Sequence, residues 1–137
     1  MKNIGLIITT LSLISIIVTD FKNRQVLNLS LVFLVVGFSI YLPMPNWLVS
    51  GASALIIGSI ILMLNLILIK LKKTKIQTGD VKIIIILAWF FNFQNLLITL
   101  LVGSGLGVLL SLSLKSKKVA FGGLLALAAM VIIHVKL

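Results

Sequence analysis

Six apolar runs, separated by short polar segments, make up most of this 137-residue chain. Hydrophobic residues account for 61% of it and charged residues for only 10%. The mean hydropathy is +1.31. These values are typical of a membrane protein rather than of a soluble core. The runs cover residues 3–19, 29–42, 47–69, 81–93, 96–114 and 119–135.

The lengths of the runs predict the fold class. A membrane-spanning helix needs about 20 apolar residues, with a usual range of about 17–25. The runs 29–42 and 81–93 are shorter, so we expect them to include flanking residues or to thin the membrane around them. We predict an all-α integral membrane protein, a polytopic bundle of about six transmembrane helices that forms one domain over residues 1–137. No small-x-small cleavage site follows the first run, so we interpret it as a retained helix.

Cations mark alternate connections between the runs. Ten of the twelve lie in the first, third and fifth connections, and none lies in the second (43–46) or the fourth (around 92–95). By the positive-inside rule the basic side faces the cytoplasm and both termini lie outside. The predicted location is therefore the cytoplasmic membrane. The ten cations are Lys22, Arg24, Lys70, Lys72, Lys73, Lys75, Lys82, Lys115, Lys117 and Lys118.

The composition also excludes several classes of protein. The chain has no cysteine and one histidine, His134, far in sequence from either acid. We therefore expect neither a metal nor an organic cofactor. The net charge of +10 lies in short loops rather than on a basic face, which argues against nucleic acid. We expect the lysines to hold anionic lipid headgroups instead, at about 1 kcal/mol each. Lipid binding that did not depend on salt would contradict this hypothesis.

The two acids of the chain, Asp20 and Asp80, are the candidate functional residues. Each lies where an apolar run meets a basic stretch, and ionisable groups at such boundaries are usually functional. Asp20 ends the first run and Asp80 opens the fourth, so an even number of crossings returns the chain to the same side. Two carboxylates at one depth can share a water, with one protonated and the other ionised. The pair therefore indicates aspartyl acid–base chemistry.

Simpler explanations exist for each acid. Asp80 follows Gly79 at a helix start, where aspartate is a good N-cap. Asp20 lies at a helix C-terminus, where the dipole disfavours its charge, but it could pair with Lys22 or Arg24. A shared site accounts for both positions together.

Three motifs around these residues resemble those of the type IV prepilin peptidases, membrane aspartyl proteases of the GxGD class. The first motif of that family reads approximately D-x-x-x-R-x-I-P-N. The stretch from Asp20 to Asn28 matches it at Asp20, Arg24, Val26 and Asn28, with Leu27 in place of the proline.

The other two motifs match in part. The family's G-x-G-D-x-K corresponds to Gly79, Asp80 and Lys82, with Gln77 in place of the first glycine. Near the last run, Phe121-Gly122-Gly123 keeps the Phe-Gly of a P-F-G-P-like turn without either proline. The resemblance extends over nearly the whole chain.

The resemblance implies an endopeptidase that removes the short basic leader of prepilin-like precursors at the cytoplasmic membrane face. Asp20 and Asp80 would be catalytic. Gly79 would let the backbone approach substrate, and Lys82 would act on a catalytic carboxylate or hold a lipid phosphate. Arg24 and Asn28 would brace the first loop against Asp20. The chain lacks the cysteine-containing cytosolic insertion of larger members, so the resemblance leaves methylation unsupported.

Two other functions stay open at this point. A small transporter or channel could use the aspartates as a proton or cation relay, although such relays usually lie near the bilayer midplane. A holin-like or accessory membrane protein without chemistry would tolerate neutralisation of both aspartates.

Small residues within the runs predict close helix contacts. We assign this role to three groups, and we expect Asn65 to hydrogen-bond a neighbouring helix and His134 to be structural. The groups are Gly51, Ala54 and Gly58; Gly103 and Gly107; and Gly122, Gly123 and Ala126.

Overall fold

The computed structural model describes residues 1–42, 47–71, 78–114 and 120–136, apart from the side chains of Trp47, Asn65, Leu68, Ile69, Leu114 and Lys136. The described residues contain six α-helices, which confirms the all-α prediction. They are α1 (Lys2–Asn23), α2 (Asn28–Tyr41), α3 (Trp47–Lys70), α4 (Thr78–Phe90), α5 (Phe93–Leu114) and α6 (Phe121–Lys136). Several predictions lie outside the described residues, namely those on 43–46, Asn65, Lys72, Lys73, Lys75, Gln77, Lys115, Lys117 and Lys118.

Helix α1 extends beyond the first apolar run, because residues 20–23, three of them polar, continue the helix as far as Asn23. Arg24 then ends it in the left-handed conformation, with φ 53°, and donates its main-chain N–H to the Asp20 carbonyl oxygen at 2.8 Å. A residue in this conformation after a helix satisfies a carbonyl that the helix leaves free. Asp20 therefore lies inside the last turn of α1, not beyond the helix.

The second and fourth helices are short, as the sequence predicts, with 14 and 13 residues. Helix α4 begins at Thr78 and ends at Phe90, three residues earlier at both ends than the predicted run. Asn92 separates α4 from α5, because its Oδ1 accepts the main-chain N–H of Asn95 at 2.9 Å. An asparagine side chain in this role is a helix N-cap. Helix α5 consequently starts at Phe93.

Helices α4 and α6 hold the bundle together. Helix α4 packs against α2, α3, α5 and α6, and α6 packs against α1, α4 and α5. Helix α1 also packs closely along α2. The core contains apolar side chains from both central helices, including Ile83 and Leu87 of α4 and Leu125 of α6.

The outward faces of the helices are apolar as well. Large side chains such as Leu11, Leu55 and Leu101 are 62%, 73% and 69% exposed. A helix that is apolar all round belongs in a large core or in a membrane. Among the described residues, Lys2–Asn23 and Phe93–Ser113 are long and apolar enough to cross a membrane.

Glycines mark the closest helix contacts. A Cβ built on Gly103 would lie 2.9 Å from Leu125 of α6, and one on Gly51 would lie 3.7 Å from Trp89 of α4. The prediction of a close helix contact is confirmed at Gly103, whereas a Cβ at Gly51 would make only an ordinary contact. Gly5 and Gly37, which the small-residue patterns do not single out, form the tightest contact, between α1 and α2. A Cβ on Gly37 would lie 2.5 Å from Thr9 Oγ1 and 2.8 Å from the Thr9 main-chain nitrogen.

The Gly37 contact generates a prediction about stability. Gly37→Ala should destabilise the protein by about 1–3 kcal/mol, because the added methyl group meets backbone that cannot move aside. Gly105→Ala is the control, since nothing lies within 4 Å of its Cβ position. Alanine there should be neutral or stabilising by about 1 kcal/mol, because glycine weakens a helix. Thermal unfolding in detergent measures both. Equal melting temperatures for the two variants would contradict the helix packing.

Candidate active site

The structure brings Asp20 and Asp80 to the same end of the bundle. Asp20 lies in the last turn of α1 and Asp80 in the first turn of α4. Their side chains, the carboxylate pair, are 1% and 6% exposed. Buried carboxylates are costly unless they are hydrogen-bonded or share a proton. The two acids thus lie at the same end of the bundle, as the order of the apolar runs predicts.

The separation of the carboxylate pair follows from their common neighbour, Gly122. A Cβ built on Gly122 would lie 2.6 Å from Asp80 Oδ1 and 3.1 Å from Asp20 Oδ2. The two oxygens are thus no farther apart than the sum of these distances, about 5.7 Å. An O–H···O hydrogen bond spans about 2.5–3.0 Å and a water molecule is bent, so one water bridges two oxygens that lie up to about 5 Å apart. The upper limit of about 5.7 Å on the separation of the two oxygens is close to this span, which is compatible with a shared water.

Main-chain amides at the start of α6 hold the carboxylate pair. The Gly123 N–H donates to Asp20 Oδ2 in a short hydrogen bond, and the Gly122 amide interacts with Asp80. Both glycines lie in the first turn of α6, where N–H groups have no partner within the helix. The positive end of the helix dipole adds to the stabilisation of negative charge there. This offsets the unfavourable position of Asp20 at the C-terminal end of α1.

Gly122 and Gly123 are the site residues that the sequence analysis missed. Assigning them to helix packing alone is incomplete, because they contact the carboxylates that the sequence picks out. Gly123 also packs closely, since a Cβ there would lie 2.9 Å from the Phe21 ring. The sequence signal for them is the Phe-Gly core of the third motif, but it lies within the apolar run 119–135, so the pattern indicates only a packed helix.

The first two motifs touch each other at Gly79. A Cβ on Gly79 would lie 3.0 Å from both Cβ and Cγ2 of Val26. The close approach at this glycine is therefore to the segment between α1 and α2. Leu27, in place of the family's proline, caps α2 with φ −69°. Proline fixes φ near −65°, so leucine keeps the backbone geometry of the motif.

The polar side chains of the two motifs also meet. Lys82 Nζ donates to Asn28 Oδ1 at 2.9 Å and links the start of α2 to the second turn of α4. Asn28 thus ties the first loop to α4 through Lys82, and its predicted role in bracing that loop against Asp20 stays a prediction. Arg24 does contact Asp20, but through its main chain at the end of α1. The three residues fix the segment that leads away from Asp20.

The remaining candidates lie away from the carboxylate pair. His134 is exposed, and its Nδ1 lies 2.8 Å from the Met130 carbonyl oxygen in the same helix. Within the described ranges, no group of three histidine, cysteine or acidic side chains could hold a metal ion. The groups gathered at the site are two carboxylates and two amides, which suit acid–base chemistry on a bound water.

Comparison with known proteins identifies the family. The family model of the type IV leader peptidases matches residues 7–112, which is more than half of the chain and includes both aspartates. Gly122 and Gly123 lie outside the matched region. No curated protein and no solved structure matches the chain. The extent of the family match nevertheless shows that the chain belongs to the type IV leader peptidase family.

Proposed function

We propose that this protein is an integral-membrane aspartyl endopeptidase that removes the short basic leader of prepilin-like precursors. Asp20 and Asp80 carry the reaction, and neither a metal nor an organic cofactor takes part. The observation that supports this most directly is the carboxylate pair, because the only two acids of the chain come within about 5.7 Å of each other. The family supplies the reaction class.

The proposed reaction uses one protonated and one ionised carboxyl group. The ionised carboxylate takes a proton from the water, whose oxygen attacks the carbonyl carbon of the scissile peptide. The protonated carboxyl donates its proton to the carbonyl oxygen. When the tetrahedral intermediate collapses, the C–N bond breaks, a proton passes from the pair to the leaving nitrogen, and one hydroxyl of the intermediate returns its proton to the pair as the new carboxyl group forms. One proton remains shared between Asp20 and Asp80, so the pair is ready for the next cycle.

The position of the pair supports a cut at the membrane surface. Both aspartates lie at helix ends rather than midway along a helix, which favours hydrolysis over a transmembrane relay. A substrate helix lying beside the bundle would present the residues just before it at this depth. The proposed cut therefore falls between the basic leader and the substrate's apolar helix.

Substitution of the aspartates tests the proposed function. Asp20→Asn and Asp80→Asn should each abolish cleavage of a co-expressed prepilin, because asparagine can neither take nor supply the shared proton. A gel shift of the prepilin measures cleavage, and membrane yield reports folding. Lys22→Gln is the control, since it also changes a charge close to Asp20 but on an exposed side chain. Cleavage that persists in either asparagine variant would refute the shared-water mechanism.

We further propose that the end of the bundle with the carboxylate pair faces the cytoplasm and that the lysines near it bind anionic lipid headgroups. The exposed cations Lys22 and Arg24 adjoin Asp20 at this end. Cations of this kind are enriched on the cytoplasmic side of membrane proteins. The connection at Asn92 lies at the other end, between α4 and α5.

Thiol labelling in whole cells tests the orientation, and the cysteine-free chain needs no background substitutions. Asn92→Cys should react with a membrane-impermeant maleimide in intact cells. Lys22→Cys should react only after the cells are permeabilised. The reverse pattern would show that the carboxylate pair faces outward.

A further inference from the structure

The start of α6 contacts the carboxylate pair more closely than any packing role requires. Gly122 lies against both carboxylates, and the amide of Gly123 donates to Asp20. Neither contact follows from the family match, which ends at residue 112. We propose that Gly122 and Gly123 are positioning residues of the peptidase. Gly122 lets the carboxylates approach one water, and the Gly123 amide stabilises the negative charge that they share.

The two glycines act in different ways. At Gly122 the missing side chain matters, because a Cβ would lie 2.6 Å from Asp80 Oδ1 and 3.1 Å from Asp20 Oδ2. A methyl group there would press on both carboxylates at once. The Cδ1 atom of Ile83 would lie 3.2 Å from the same Cβ and limits the space on a third side. The crowded carboxylates would have to move apart, and a shared water would lose one of its two partners.

At Gly123 the N–H matters more than the missing side chain. A Cβ there would lie 3.4 Å from Asp20 Oδ2, an ordinary contact, and only the Phe21 ring would be crowded, at 2.9 Å. Phe21 is 49% exposed, so its ring can be removed without opening the core. Alanine at 123 keeps the donor, whereas proline removes it. Proline is accommodated in the first turn of a helix.

The other charges near Asp20 are few among the described residues. Asp80 faces it from α4, and Lys22 and Arg24 follow it on α1. The ionisable side chain of α2 is Tyr41, which ends that helix beside Gly5 and so lies far from Asp20, and His134 lies near the far end of α6. The Gly123 amide is thus the only donor from α6 to Asp20 that the described residues provide. Its loss should favour protonation of the pair.

The first test compares Gly122→Ala with Gly103→Ala in prepilin cleavage. Both variants crowd the packing of α6, since a Cβ on Gly103 would lie 2.9 Å from Leu125. Only Gly122→Ala should lower kcat by about 100-fold, the scale expected for a displacement of about 1 Å at reacting groups, with KM nearly unchanged. Equal kcat values in the two variants would overturn the role of Gly122.

The second test separates the N–H of Gly123 from its size. In a Phe21→Ala background, Gly123→Ala and Gly123→Pro are compared across pH, and the alanine variant, which keeps the N–H, should stay active to a lower pH than the proline variant. Gly123→Pro should fold and cut. On acidification, however, its activity should be lost at a higher pH than that of the alanine variant, by about one pH unit or less. Identical pH profiles for the alanine and proline variants would overturn the role of the amide.

This inference rests on the proposed function, so a third measurement uses no substrate. Carbodiimide with an amine nucleophile labels exposed carboxyl groups, and peptide mass spectrometry reads the labelling of Asp20 and Asp80 separately. Gly122→Ala should label faster than Gly103→Ala at both aspartates. Equal labelling would refute the positioning role even if the wild type cuts prepilin. Faster labelling in a protein that cuts nothing would support the positioning role and count against the peptidase.

Discussion

The burial of two carboxylates at one end of an apolar bundle is the constraint on which the rest of the structure depends. Taking a charge out of water is costly, and two like charges close together cannot both ionise freely. Main-chain donors from the first turn of α6 offset this cost, and the two carboxylates can share one proton. These donors come from a helix far along the chain from either aspartate, so the full bundle must assemble before the pair is stabilised.

Close helix packing brings those donors to the carboxylates. Helix α6 can lie against α1, α4 and α5 because small residues lie at the helix contacts. An example is Gly103 of α5, which faces Leu125 of α6. At Gly122 the missing side chain makes room for the two carboxylates rather than for apolar side chains of a neighbouring helix. The short α4 begins at the site and makes contacts with four helices, so it fixes Asp80 with little freedom. The site is consequently built from rigid helix ends rather than from long loops.

Much of this arrangement could be predicted from the sequence because it depends on local patterns. Apolar runs predict helices, and the parity of the runs predicts that Asp20 and Asp80 share one end. The ends of α1 and α4 were harder to predict, since a mainly polar segment, residues 20–23, continues the first helix until Arg24 adopts the left-handed conformation. The pattern of apolar residues does not indicate a helix end of this kind.

Contacts between residues far apart in sequence could not be predicted in this way. The hydrogen bond from Lys82 to Asn28, the packing of Gly79 on Val26 and the approach of Gly122 to the carboxylates depend on how each helix is rotated. A rotation is set by all of a helix's neighbours together. For helices that are apolar on every side, the sequence gives little indication of which face turns inward.

The meeting of the two aspartates is the central claim, and a cross-link between them tests it most directly. The variant Asp20→Cys/Asp80→Cys carries the only two thiols in the chain. A short thiol-specific bifunctional reagent should join them, which intact mass spectrometry detects as one bridging group. Asp20→Cys/Asn92→Cys, with its cysteines at opposite ends of the bundle, should give two separate adducts. Separate adducts on the aspartate-derived pair as well would contradict the account.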